Sequence, residues 1–118
     1  MSKYARLRER VLRELPGVVL RDAPAAADSE LLLAHDRSYV ERVFAGELSA
    51  EEQRAIGFPW SAMMVERSRR SVGATLAACA AAAEDGVAVN LAGGTHHARR
   101  DRGQGYCVFN DVAIAALA

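Results

Sequence analysis

Apolar positions recur at helical spacing through most of this chain. Tyr4, Leu7, Val11, Leu12 and Leu15 are interleaved with arginines until Pro16-Gly17 stops the run, which predicts an amphipathic first helix. Val18-Val19-Leu20 reads as a short strand, and residues 22–28 as a loop of small residues and proline. A helix beginning near Asp28 or Ser29 carries Leu31, Leu32 and Leu33. Asp36 is a candidate N-cap for the next, whose Tyr39, Val40, Val43 and Phe44 share a face until Gly46.

Ser49 and Glu52 form the pattern of a capping box for a further short helix. Gly57-Phe58-Pro59-Trp60 breaks the helical period and gathers two large aromatics in one loop. From Ser61 as a cap to Glu84 no proline intervenes, and Val65, Val72, Leu76 and Cys79 or Ala83 form one stripe, which predicts the longest helix. Asp85-Gly86 ends it. Val87-Ala88-Val89-Asn90-Leu91 follows as a compact apolar run that reads as a buried strand, and Val112, Ile114, Ala115 and Leu117 start a last helical pattern. A long helix feeding an apolar strand predicts an α/β fold with a parallel sheet covered on both faces, helix-rich in this stretch.

The 118 residues suit one small domain. Fifteen basic and fifteen acidic side chains cancel, which disfavours nucleic acid and anionic lipid as partners. No run approaches the roughly 18 apolar residues of a membrane span, and the opening Met1-Ser2-Lys3-Tyr4 lacks the apolar core of a signal peptide, so the expected location is cytoplasmic. Cys79 and Cys107 have neither the density nor the spacing of a disulfide framework or zinc finger, and read as reduced thiols.

The candidate chemistry lies in Asn90-Leu91-Ala92-Gly93-Gly94-Thr95-His96-His97, which continues through Gly105-Tyr106-Cys107 to Asn110-Asp111. In an open α/β sheet ligands bind beyond the carboxyl ends of strands, where this loop would lie if residues 87–91 are a central strand. The glycines match neither a dinucleotide fingerprint nor a phosphate-binding P-loop. Adjacent histidines cannot share one face of a strand, but in a turn both rings can be aimed into one pocket and divide the duties of base and acid near neutral pH. They can equally be plain surface loop residues. His35, His96, His97, Cys79 and Cys107 show no spacing of a metal site, so no metal ligand is assigned to this chain.

Taken together, Gly93-Gly94-Thr95-His96-His97, Gly105-Tyr106-Cys107 and Asn110-Asp111 closely resemble the active-site stretch of the histone deacetylase superfamily, commonly G-G-x-H-H, then G-F-C, then N-D. Gly57-Phe58-Pro59-Trp60-Ser61 and the segment from His35-Asp36 to Tyr39-Val40 resemble bacterial members related to the class IV enzymes. The resemblance implies an arginase-like, three-layer fold with a parallel sheet, of which residues 1–118 would be the N-terminal portion of a single catalytic domain, incomplete at both ends. It implies a zinc-dependent hydrolase that removes an acyl group from an amine such as acetyl-lysine. His97 would be general base and then acid, His96 an electrostatic assistant, Tyr106 a wall of the acyl-lysine tunnel and Gly105 a point of close backbone approach. Both imidazoles would face a cavity beside Tyr106.

Tyrosine stands where the family has phenylalanine, which keeps the aromatic wall and adds a hydroxyl that needs a partner. Asp111 is expected to be a support or helix-start residue and Phe109 a core residue. The family's zinc ligands, an Asp-x-His pair and a further aspartate, would lie beyond Ala118, and its first strand before Met1. No zinc is therefore expected to be fully ligated by this chain, and the fragment should not deacetylate alone. Two other readings stay open: an inactive binding module that self-associates through its exposed sheet and truncated helix, and a metal-independent acid/base enzyme.

Overall fold

The structure is a computed structural model that describes residues 2–118. It consists of α1 (Ser2–Glu14), α2 (Asp28–Leu31), α3 (Arg37–Ala45), α4 (Ala50–Ile56), α5 (Ala62–Asp85) and α6 (Asp111–Leu117). The cap signals explain most boundaries. Ser49 Oγ accepts from the Glu52 amide at 3.1 Å while Glu52 Oε2 accepts from the Ser49 amide at 2.8 Å, so the two side chains satisfy each other's orphan donors. Ser61 Oγ accepts from the Met64 amide and Asn110 Oδ1 from the Ala113 amide, starting α5 and α6. Asp36 occupies the N-cap position of α3, but its side chain makes no capping bond.

The core gathers Leu31, Tyr39, Val40, Val43, Ile56, Val72, Phe109 and Ile114 from α2, α3, α4, α5, α6 and the final loop. Tyr39 and Phe109 meet edge to face at 6.2 Å between centroids, and Phe109 is buried, as its reading as a core residue required. Helix α5 packs on α6 and α3. Gly73 in the middle of α5 is there for space: a Cβ would overlap the Pro24 carbonyl, because residues 24–26 run against the helix. Arg69 fastens that crossing, its guanidinium donating twice to the Ala26 carbonyl, at 3.1 and 2.8 Å, and once to Asp28 at 3.0 Å.

Helix α1 forms as its spacing predicts, with none of its side chains fully buried. Two other expectations are corrected. Residues 18–20 are not a strand. The parallel sheet is also absent: among the described residues there is no strand, and residues 87–90 carry no regular structure before a turn at Leu91, with Val87 and Val89 about three-quarters exposed, at 76% and 75%. An extended segment becomes a strand only when a neighbour accepts and donates along its edge. None of the described residues pairs with this one. In place of the exposed sheet edge expected to drive self-association there is thus an unpaired segment without regular structure.

Candidate functional site

The histidines sit on a turn that four polar side chains hold from below. Asn90 donates to the Ser71 carbonyl and to Thr75 Oγ1, both at 2.9 Å, and accepts from the Ala92 amide at 3.0 Å, which fixes the chain as it leaves α5. Ser71 Oγ donates to the Ala92 carbonyl at 2.9 Å. Asp111, the first residue of α6, then takes over. Its Oδ2 accepts from Thr75 Oγ1 at 2.6 Å and the Gly94 amide at 2.8 Å, and its Oδ1 from the Thr95 amide at 2.8 Å and Thr95 Oγ1 at 3.0 Å.

Burial by itself would push the Asp111 carboxyl up. The hydrogen bonds from Thr75, Gly94 and Thr95 outweigh it and hold the group below its ordinary value. Asp111 is therefore an ionised anchor under the turn, in line with its reading as a support.

Asn110 grips the other side. Its Nδ2 donates to the carbonyls of His96 at 3.2 Å and Ala98 at 3.0 Å, so the cap of α6 is also the clamp of the histidine turn. The two imidazoles stand 4.4 Å apart between centroids, tilted by 36°. His96 Nδ1 lies 2.9 Å from the Gly94 carbonyl; a carbonyl only accepts, so Nδ1 carries the hydrogen of this contact. The His97 ring covers Gly105, where a Cβ would touch its Cγ at 3.4 Å.

Gly105 and Tyr106 close the loop onto α4. Their amides donate to the carbonyls of Ala55 and Ile56, and Tyr106 has φ 63°, a left-handed conformation unusual for a side chain of this size. The ring of Tyr106 stacks on Phe58 at 6.1 Å and lies on Gly57. It is 71% exposed, so the hydroxyl that the sequence reading expected to need a partner is free to reach solvent.

A groove of about 640 Å³ runs beside this ring, lined by Phe58, Met64, Thr95, Tyr106 and Phe109 among others. Neither histidine lines it, and both are exposed. The expectation that both rings face one cavity is corrected accordingly: the turn presents them as an adjacent pair on the surface next to the groove. The structure brings His96, His97, Gly105 and Tyr106 together. Among the described residues, no group of three or more His, Cys, Asp or Glu stands where it could hold a metal ion, so the residues present do not make up a zinc site.

Sequence reasoning weighed His35 only as a metal ligand and as part of the resemblance, and gave it no role in the site. This residue is 4% exposed, and its Nε2 accepts from the Asn110 amide at 2.9 Å while Nδ1 faces the Arg100 carbonyl at 3.3 Å. Burial pulls its basicity below the ordinary histidine value, against the opposing pull of the Arg100 and Arg99 carbonyls and Asp36. The available signal was an imidazole two residues after the leucine run 31–33, a polar group continuing an apolar stretch.

The family model for the histone deacetylase domain matches residues 2–118. An acetoin utilization protein, AcuC, of Bacillus subtilis is 38% identical over 100 residues, covering 76% of this chain and 26% of the relative. An uncharacterized protein of Picosynechococcus is 47% identical over 85 residues, covering 72% of this chain and 28% of its own length. A crystal structure of a deacetylase homologue from Aquifex aeolicus superposes with a TM-score of 0.74 at 25% identity, covering 96% of this chain and 32% of that one. The chain thus spans about a quarter to a third of the length of these relatives. With the family match running the length of the described residues, this chain belongs to the histone deacetylase family.

Proposed function

We propose that residues 2–118 are the part of a zinc-dependent deacetylase-type hydrolase that supplies its acid/base pair. The observation that carries this reading is the pair of imidazoles 4.4 Å apart on a turn anchored by Asp111 and Asn110, next to an aromatic groove. Rigid support of this kind is what a base needs to meet a proton at a fixed position. His97 takes a proton from the attacking water and returns it to the departing amine. His96, pinned by the Gly94 carbonyl, stabilises the charge that develops beside it. Tyr106 and Phe58 supply aromatic surface for the stem of an acylated amine such as acetyl-lysine, and the bare backbone of Gly105 leaves room for it.

Zinc, when bound, supplies Lewis-acid activation. In this reading it is held by groups outside these residues, since the described ones contain no cluster able to hold a metal ion. The 118-residue chain by itself is therefore expected to be inactive. An aqueous, cytoplasmic setting agrees with the lack, among the described residues, of any helix long and apolar enough to cross a membrane.

The test is a segment exchange. Residues 2–118 replace the corresponding segment of Bacillus subtilis AcuC, and hydrolysis of a fluorogenic acetyl-lysine substrate is followed with His97 intact and with His97→Ala. The intact chimaera should turn over, and His97→Ala should lower kcat by about 10²–10⁴-fold. A folded, zinc-loaded chimaera no faster than its His97→Ala form would defeat the proposal. Turnover by the metal-free 118-residue chain would instead favour an acid/base enzyme without metal.

The exposure of Val87 and Val89 supports a second reading, an interaction module that completes itself by accepting a further strand along residues 87–91. Sedimentation of the isolated chain tests it, because a monomer across the accessible concentration range would exclude self-pairing.

A further inference from the structure

The side chain of His35 meets two stretches of the final loop at once. Nε2 accepts the Asn110 amide proton, so it must be the unprotonated nitrogen, and Nδ1 carries the hydrogen that points to the Arg100 carbonyl. That carbonyl also accepts from the Asp36 amide at 3.0 Å. The surroundings leave little room for a charge: the ring packs 5.6 Å from Tyr39 and 5.4 Å from Phe109 between centroids. Of the groups facing it, Asp36 on the corner before α3 is the nearby carboxylate, and Tyr39 is a phenol held neutral by burial. Arg99 and Arg100 act on it through their backbone carbonyls.

Asn110 is the residue on the far side of this contact, and its side chain clamps the carbonyls of His96 and Ala98. A proton on His35 Nε2 would set an N–H against the Asn110 N–H. The acceptor would be lost and two donors would face each other in a buried site.

We propose that His35 is a positioning residue for the histidine turn: as the neutral Nδ1–H tautomer it holds Asn110 in place, and uptake of a proton releases Asn110 and with it the grip on His96 and Ala98. The catalytic meaning of this device rests on the acid/base reading of His96 and His97, whereas the mechanical coupling does not.

Backbone hydrogen exchange, followed by NMR between about pH 7.5 and pH 5 and corrected for intrinsic rates, reads the coupling without any turnover. As the pH falls below the ordinary histidine value of 6.5, towards the lower value that burial imposes on His35, protection of the Asn110 amide should drop at least about tenfold more than that of Val72 in α5, the equivalent of one pKa unit of coupling. The carbonyl-carbon signal of Ala98, which the Asn110 side chain clamps, should move in the same transition. His35→Gln keeps an amide oxygen as acceptor but cannot titrate, so it should retain Asn110 protection at neutral pH and abolish the transition.

Loss of protection at Asn110 only in step with Val72 would overturn the proposal, as would a transition that persists unchanged in His35→Gln. Should that variant fail to fold, the comparison of Asn110 with Val72 in the unaltered protein decides the matter. A chimaera without turnover at any pH would count against the acid/base reading and leave the exchange result untouched.

Discussion

The backbone amide of Tyr106 donates to the carbonyl of Ile56 at 2.6 Å, and that of Gly105 to Ala55 at 2.9 Å, so the loop carrying the candidate site terminates α4. A helix leaves its last carbonyls without intrahelical donors, and here a segment 50 residues further along the chain supplies them. The arrangement depends on Gly57, which has φ 102° and lies flat under the Tyr106 ring.

Gly57→Ala is expected to destabilise the protein by about 1–3 kcal/mol, since alanine is strained at this φ. Its Cβ would also stand 2.7 Å from Tyr106 Cε1, so the ring must move. A lowered urea midpoint together with a changed near-ultraviolet signal from the stacked Phe58 and Tyr106 rings would show both effects.

Asp111→Asn removes the charge that four donors converge on, and should lower stability at neutral pH by about 1–3 kcal/mol. The folded carboxyl lies below its ordinary value of 3.8, so its contribution is fully present above that value and is lost as the pH falls through the lower, folded one. Urea unfolding at a series of acidic pH values should therefore show a shallower decline in Asp111→Asn than in the unaltered protein. Equal declines would remove Asp111 from the account.

Asn110 has two functions that a pair of substitutions separates. Asn110→Asp keeps an oxygen to cap the Ala113 amide but loses the Nδ2 donor to His96 and Ala98, so global stability should hold while exchange of the turn's amides accelerates. Asn110→Ala loses both, with a further penalty of about 0.5–2 kcal/mol for the missing cap. Thermal unfolding measures the second effect and hydrogen exchange the first.

Tyr106→Phe restores the residue common in the family and removes only an oxygen free to reach solvent. Stability should change by no more than about 0.5 kcal/mol, with the Phe58 stack intact. A larger loss of thermal stability would mean that the hydroxyl has a partner.

The helices were legible because their signals are local: Ser49 with Glu52, Ser61, and Gly46, Gly57 and Gly86 as left-handed stops all lie within a turn or two of the boundary they set. The grouping of His96, His97, Gly105 and Tyr106 was legible as a motif. The strand at residues 87–91 was misread because its composition reports only suitability for a sheet, and pairing depends on a neighbour that composition does not reveal. The orientation of the histidines and the importance of His35 were hidden for a related reason. Both follow from contacts with residues remote in sequence, which no periodicity encodes. Asp36 stands at the N-cap position its residue type announces, yet its side chain makes no capping bond and its backbone amide ties it to the distant Arg100 carbonyl, which residue type could not reveal.

The ties that shape the histidine turn also set an order of assembly. His35 reaches Asn110 across 75 positions, Tyr39 reaches Val108 across 69, and Thr75 reaches Asp111 across 36. Closing loops of this length forfeits chain entropy before the contacts repay it, which slows folding. The paired imidazoles can therefore take up their places only once these distant contacts have closed.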